Sequence, residues 1–302
     1  MGGQRSQVVL PFPPAYTVRY ILGMDSRPIL LSIAGYDPSS GAGITADVKT
    51  AAALGCYAVT CITALTVQST QGVFGVESMG PEVVRDTLVR LADDFEIAAV
   101  RIGMLGSAGV AEAVAGFLRQ TTPKIVVLDP VIRSSSGVAL IDSDGIGVLR
   151  RQLLPICDVA TPNLAESGEL AGMAIGMTSG SNCWETTAPQ LRSLAAKLHE
   201  MGCRAVVITG GHLQEANDYL SIREGGGTTE QVFSGTHLDS RSTHGTGCAF
   251  ATALACGLAR GLPLPEAVRQ AKEYVRQAIS TAYRVGTGVG PMNHLFRLEA
   301  EK

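Results

Sequence analysis

The 302-residue chain has no apolar run near the roughly 18 residues that a membrane-crossing helix requires. None of its seven cysteines, at positions 56, 61, 157, 183, 203, 248 and 256, stands in a C-x-x-C pair, and their number is odd. That excludes a disulfide framework or a zinc knuckle and fits a reducing, cytoplasmic compartment. Charge is scarce as well: Asp, Glu, Lys and Arg make up 17% of the chain, with a formal net charge of −3 and no cluster of Lys and Arg. A nucleic-acid footprint or a basic membrane-binding face is therefore not expected. No G-x-x-x-x-G-K-[ST] occurs, which excludes a P-loop. Residues 1–27 lack the unbroken apolar stretch of a signal peptide, because Pro11, Pro13 and Pro14 interrupt it. They read as a loose extension ahead of one domain over 28–302, with Met24 as an alternative start.

What the chain does have is glycine, 35 residues of it, and a hydrophobic fraction of 46%. From Ile29 onward, short β-rich apolar runs alternate with Gly/Pro/Ser loops and amphipathic stretches. Strands are expected at Ile29–Ala34, Tyr57–Leu65, Ala98–Met104, Lys124–Leu128, Cys157–Thr161 and Ala205–Thr209. Helices are expected between them, with Pro81 opening one and Gly55 closing another. Strands apolar throughout and alternating with helices predict an α/β fold, its mostly parallel sheet covered on both faces. Tyr219–Ile222 and Gln231–Phe233 flank a Gly225-Gly226-Gly227 turn, which predicts an antiparallel hairpin at the sheet edge. Two helices, about 247–260 and 264–283, close the chain. In such folds ligands bind beyond the carboxyl ends of the strands.

Three loops there carry the chemistry. Ser242-Thr243-His244-Gly245-Thr246-Gly247-Cys248 runs straight into an Ala/Leu-rich helix. Unpaired backbone N–H groups and the helix dipole make such a turn an anion site, and Cys248 at a helix start is expected to have a lowered thiol pKa. The same glycines would also simply let a helix pack closely. The loop from Ala34 to Asp47 contains G-x-G-x-x-A (Gly41, Gly43, Ala46), yet no acidic residue stands about 20 residues on to hold a dinucleotide ribose. Instead it delivers Asp47 to the first turn of a helix, as a functional acid or as a plain dipole partner. Thr161-Pro-Asn163-Leu-Ala-Glu166 places Asn163 and Glu166 on one helix face, which suits either Mg²⁺ or an ordinary capping box. Gln68, after the second strand, offers the donor and acceptor that an aminopyrimidine edge needs. Asp129 precedes a proline after a buried strand, as either a functional acid or a turn residue. His244 and His212 have no partner at metal-ligand spacing and read as loop hydrogen-bonders.

Taken together, IAGYDPSSGAGITADVKT, ITALTVQSTQGV, IGMLG, VVLDPV, TPNLAE, GGHL, STHGTGCAFATALA and GVGPMNHL, in that order over residues 29–294, resemble the hydroxymethylpyrimidine/phosphomethylpyrimidine kinases of thiamin biosynthesis. The resemblance implies a ribokinase-like three-layer α/β/α sandwich, ATP and Mg²⁺ as cofactors, and a homodimer. It implies a pyrimidine pocket of Gly35, Asp47, Gln68, Met104 and Val131, with Asp47 and Gln68 holding ring nitrogens and the amino group. Gly245, Thr246, Gly247 and Cys248 would form the anion hole, with Cys248 standing where sugar kinases carry an Asp base. Glu166 would hold Mg²⁺ through water, and Asp129, Asn163, Thr209 and Thr243 would lie along ATP. Two lysines common in relatives are replaced here by Ser135 and Thr209, with Arg133 a possible substitute for the first. Pyridoxal kinases of the same superfamily are the nearest alternative; they carry Met where Gln68 favours an aminopyrimidine. A pyrimidine-binding protein without transfer chemistry is the alternative outside the kinases, and it would be expected to lose the glycine turn or Glu166.

Overall fold

The computed structural model describes residues 27–134, 136–175, 184–211 and 216–298. The expected extension (but for Arg27), Ser135 and His212 fall outside the described residues.

The chain alternates as expected through β1 (Ile29–Tyr36), α1 (Gly43–Ala53) and β2 (Tyr57–Ser69). It continues through β3 (Gly72–Ser78), α2 (Pro81–Asp94), β4 (Ile97–Ile102), α3 (Ala108–Thr121) and β5 (Val126–Leu128). Then come α4 (Ser143–Val148), β6 (Val159–Ala160), α5 (Leu164–Ala171), α6 (Trp184–Glu200) and β7 (Ala205–Ile208). The hairpin β8 (Asp218–Glu224) and β9 (Gly227–Phe233) precedes α7 (Thr246–Ala259) and α8 (Leu264–Ser280). The strands form one sheet in the order β3-β2-β1-β4-β5-β6-β7-β8-β9. From β2 to β7 every pairing is parallel, whereas β3, β8 and β9 run antiparallel to their neighbours.

Neighbouring residues of one strand feed opposite cores, which is why these strands are apolar throughout. Leu31, Val100 and Leu128 pack with α2, α3 and α6, through Val84, Val110 and Leu194 among others. Leu30, Ala99 and Val127 pack on the other face with α7 and α8, through Ala251, Leu254 and Val268. The three layers and the hairpin at the β9 edge agree with the sequence reading. The expectation of one antiparallel edge is corrected, because β2 runs on past Leu65 and turns back as β3. Its residues are half-buried or exposed, so β3 has no buried apolar run to announce it. The strand expected over 157–161 contracts to two residues.

Candidate active site

Strands β1, β4 and β5 pack against α7, and Gln68, at the carboxyl end of β2, lies against His244 just before that helix. The turn before α7 is built by glycine. Gly245 caps the helix at φ +81°, and a Cβ there would lie 1.9 Å from the Gly41 carbonyl oxygen. Gly43, at φ +57°, likewise presses on the Gly35 oxygen, where a Cβ would sit 2.2 Å away. Only residues without a side chain let the loop over 37–43 close onto the helix terminus. No side chain caps α7; the Thr246 amide donates to the Thr243 carbonyl, and those of Gly247 and Cys248 have no intrahelical acceptor.

Beneath that terminus lies a polar cluster absent from the sequence reading. Arg101, on β4, is fully buried; its Nη1 donates to Asp47 Oδ2 at 3.0 Å and its Nη2 to Asp129 Oδ2 at 2.6 Å. Gly103 makes room for it, since a Cβ there would stand 2.2 Å from Nη1. Burial alone would weaken the Arg101 charge, but Asp47 and Asp129 offset that and keep it a cation. The signal for it was a lone charge in the apolar run Ile97–Ile102.

Two expectations are corrected here. Asp47 lies in the second turn of α1, not the first, and is fully buried. Its oxygens accept from Ser32 Oγ at 2.6 Å, Thr252 Oγ1 at 2.7 Å and Arg101. The Cys248 thiol is raised, not lowered: burial pushes it up to about 11, against the pull of Arg101. Helix-terminus reasoning predicts thiolate, but desolvation and the neighbouring Asp129 and Asp47 charges prevail. His244 is a loop hydrogen-bonder, as expected. Its Nε2 lies 2.7 Å from Asp37 Oδ2 and 3.0 Å from the side-chain nitrogen of Gln68. Burial tends to raise the Asp37 carboxyl, but bonds from His244 and Ser39 hold it at about 2.

The remaining predicted residues fall around the same cleft. Met104 Sδ would be 2.8 Å from a Cβ at Gly35, and Met104 packs with Ala64 and Leu140 in an apolar patch that Val131 joins. Gln68 is half-buried at the end of β2. Asn163 caps α5 and forms a capping box with Glu166: Asn163 Oδ1 accepts from the Glu166 amide, and Glu166 Oε2 from the Asn163 amide. Thr209, after β7, bridges to Asn163. Thr243 is exposed at the entrance to the glycine turn, where its carbonyl accepts from Thr246. Arg133 faces Glu169 at 3.7 Å.

Glu166 and Asp129 stand close enough to feel one another. Burial, then Asp129, pushes Glu166 up to about 8; burial pushes Asp129 up to about 6, against Arg101. Two buried carboxylates that resist ionising together are a donor set suited to a hard cation, and no soft ligand is among them. The residues present fit Mg²⁺.

The sequence profile of the phosphomethylpyrimidine kinase family matches residues 37–293. The chain belongs to this family. It is 42% identical over 268 residues to the hydroxymethylpyrimidine/phosphomethylpyrimidine kinase of Streptomyces coelicolor, covering 88% of this chain and 94% of the relative. Among solved structures, the fold is similar to a pyridoxal kinase from Bacillus subtilis in its ADP complex, with TM-score 0.78 and 32% identity over 90% of this chain and all of that one. A phosphomethylpyrimidine kinase from Clostridium difficile gives TM-score 0.71 and 31% identity over 84% of this chain and all of that one. In this kinase Gln68 thus lies against His244 just before the glycine turn, and Asp47 and Asp129 meet at Arg101.

Proposed function

We propose that this kinase transfers the γ-phosphate of ATP to the hydroxyl of 4-amino-5-hydroxymethyl-2-methylpyrimidine, to the phosphate of its monophosphate, or to both. The observation that carries the proposal is the uncapped amino end of α7, open onto a cleft that pairs an apolar wall at Met104 and Val131 with the amide of Gln68. The apolar wall takes the ring faces and Gln68 reads the ring edge, with the hydroxymethyl group directed at the turn.

Phosphoryl transfer has a loose transition state, so positioning and charge stabilisation dominate over base strength. The amides of the Gly245–Cys248 turn face the charge that develops on the moving phosphoryl group, and one such donor is typically worth about 10²–10³ in rate. Cys248, a thiol at neutral pH, positions the acceptor hydroxyl, whose proton passes to water or to a phosphoryl oxygen as the new P–O bond forms and the bond to ADP breaks. Glu166 would hold Mg²⁺ through water, which when bound neutralises phosphate charge, and Asp129 lies alongside. Asn163, Thr209 and Thr243 line the path of the nucleotide. Thr209 contacts it by hydrogen bond where relatives use charge. Asp47 acts at one remove, by fixing Arg101 beneath the turn.

The proposal includes a single kinase domain over 28–302, working in the cytoplasm as a homodimer. Six unpaired thiols among the described residues support the reducing compartment. The dimer is supported by the outer face of β2 and β3, where Val67 and Phe74 are 67% and 69% exposed and Leu65 lies beside them. Such a patch on an edge hairpin is suited to a second copy. The experiment for the activity is ATP consumption with the pyrimidine alcohol and with its monophosphate, each alone. The likeness to the Bacillus subtilis enzyme supports pyridoxal as a second substrate class, so pyridoxal belongs in the same assay. Faster turnover of pyridoxal than of either pyrimidine would reverse the assignment.

A further inference from the structure

The contacts around Gln68 can be settled by counting hydrogens. Asp37 is saturated with donors: Oδ1 accepts from the Ser39 amide at 2.8 Å and hydroxyl at 2.7 Å, and Oδ2 from the amides of Gly41 at 3.2 Å and Ala42 at 2.9 Å. It is therefore a carboxylate without a proton of its own, as its low pKa also requires. The 2.7 Å bond to His244 then needs a hydrogen on His244 Nε2. That holds whether the imidazole is neutral or charged, because this nitrogen carries at most one hydrogen. A nitrogen that donates cannot accept, so the amide nitrogen of Gln68, 3.0 Å away, would set donor against donor.

A second conflict lies on the other side of the amide. Thr66 Oγ1 sits 3.0 Å from the Tyr36 carbonyl oxygen and 3.1 Å from Gln68 Oε1, but it has one proton for two acceptors. Turning the Gln68 amide by 180° removes both conflicts at once. Its oxygen then shares the His244 hydrogen with Asp37. Its nitrogen donates to Thr66, whose own proton goes to Tyr36. Oxygen and nitrogen of a side-chain amide differ too little in shape for packing to choose between them, so the hydrogen-bond network decides.

We infer that the Asp37–His244 pair, with Thr66, locks Gln68 with its oxygen toward His244 and its nitrogen toward Thr66, and so sets the polarity with which the pocket reads a ring edge. His244 immediately precedes Gly245, and its ring lies where a Cβ on Gly41 would come within 2.3 Å. The reading of the base is thus mechanically joined to the turn that handles phosphate. Asp37, His244 and Thr66 are positioning residues that act through Gln68. This inference rests on the pyrimidine kinase reading. A 4-aminopyrimidine edge offers a donor beside an acceptor, and its 4-oxo analogue exchanges the two.

The test compares kcat/KM for the amino alcohol and its 4-oxo analogue in the full-length protein. Wild type should strongly prefer the amino compound. His244→Phe and Thr66→Val should each lower that preference roughly tenfold, the scale of one hydrogen bond, and Thr66→Ser should keep it. The ratio cancels any general loss of activity, so a merely structural role would leave it unmoved. Unchanged ratios in both variants would overturn the inference. Independently, nitrogen NMR of histidine-labelled wild type should find a hydrogen on His244 Nε2, and its absence would also overturn it. If wild type phosphorylates no pyrimidine, the kinase assignment fails, and the NMR result alone decides the amide's orientation.

Discussion

Replacing Arg101 by methionine is the most direct probe of the buried cluster. Methionine roughly conserves the aliphatic stem and removes the charge, leaving Asp47 and Asp129 facing each other without a cation. Asp47 retains bonds from Ser32 and Thr252. Asp129 loses the 2.6 Å bond that opposes its desolvation. Removing one partner of a buried ion pair costs about 3–5 kcal/mol, because the remaining charge is stranded. For a domain of this size each kcal/mol lowers Tm by about 2 °C, so a fall of roughly 6–10 °C is expected near pH 8. The sign of the pH dependence follows from the charges. Without Arg101 the Asp129 carboxyl, already held up at about 6 by burial, rises further above its unfolded value. Protonation at lower pH then relieves the strain, and the deficit must shrink between pH 8 and pH 5. Thermal melts of wild type, Arg101→Met and Arg101→Lys across that range test this, with Lys expected to recover part of the loss as a smaller point charge. A deficit below about 1 kcal/mol, or one that does not change with pH, would refute the reasoning.

Gly245→Ala should reduce turnover by at least about 100-fold, since the new Cβ meets the Gly41 oxygen and displaces the turn's amides; steady-state kinetics with folding monitored by circular dichroism checks it. Glu166 is expected to weaken the metal-free fold as pH rises: its folded pKa of about 8 lies above the ordinary 4.5, so its contribution is complete below about 4.5 and lost through pH 8. Glu166→Gln, fixed as the neutral form, should therefore melt higher than wild type at pH 8 in a chelator, by on the order of 2 kcal/mol, and should lose the stabilisation that Mg²⁺ gives wild type. Phe74→Asp should convert a dimer to monomers in sedimentation without lowering the melting temperature, because the side chain is mostly exposed in the single chain.

Much of this architecture was present in the order of residues. Ile29–Ala34 and Ala205–Thr209 read as strands because both of their faces are covered, and no periodicity argument has to choose a face. Gly225–Gly227 fixed a hairpin because few other residues turn so tightly. The Gly245–Gly247 turn announced an abrupt helix start from local chemistry alone. Asn163 and Glu166 satisfied their own capping geometry within four residues. Each of these signals is local, with the residues that matter lying within one turn or one strand of each other.

What tertiary structure decided is who faces whom over long separations. Asp37 and His244 are 207 residues apart, and nothing near either one announces the other. Asp47 read locally as a functional acid or a dipole partner of its own helix, but α7 and β4 close over it and make it the partner of Arg101. Helix-dipole logic lowers the pKa of Cys248, whereas the packed surroundings raise it, because desolvation and through-space charge depend on atoms brought together by the fold. The sequence by itself determined the sheet, the glycine turn and the family; the protonation state and partners of the side chains around that turn were set only when the chain folded around them.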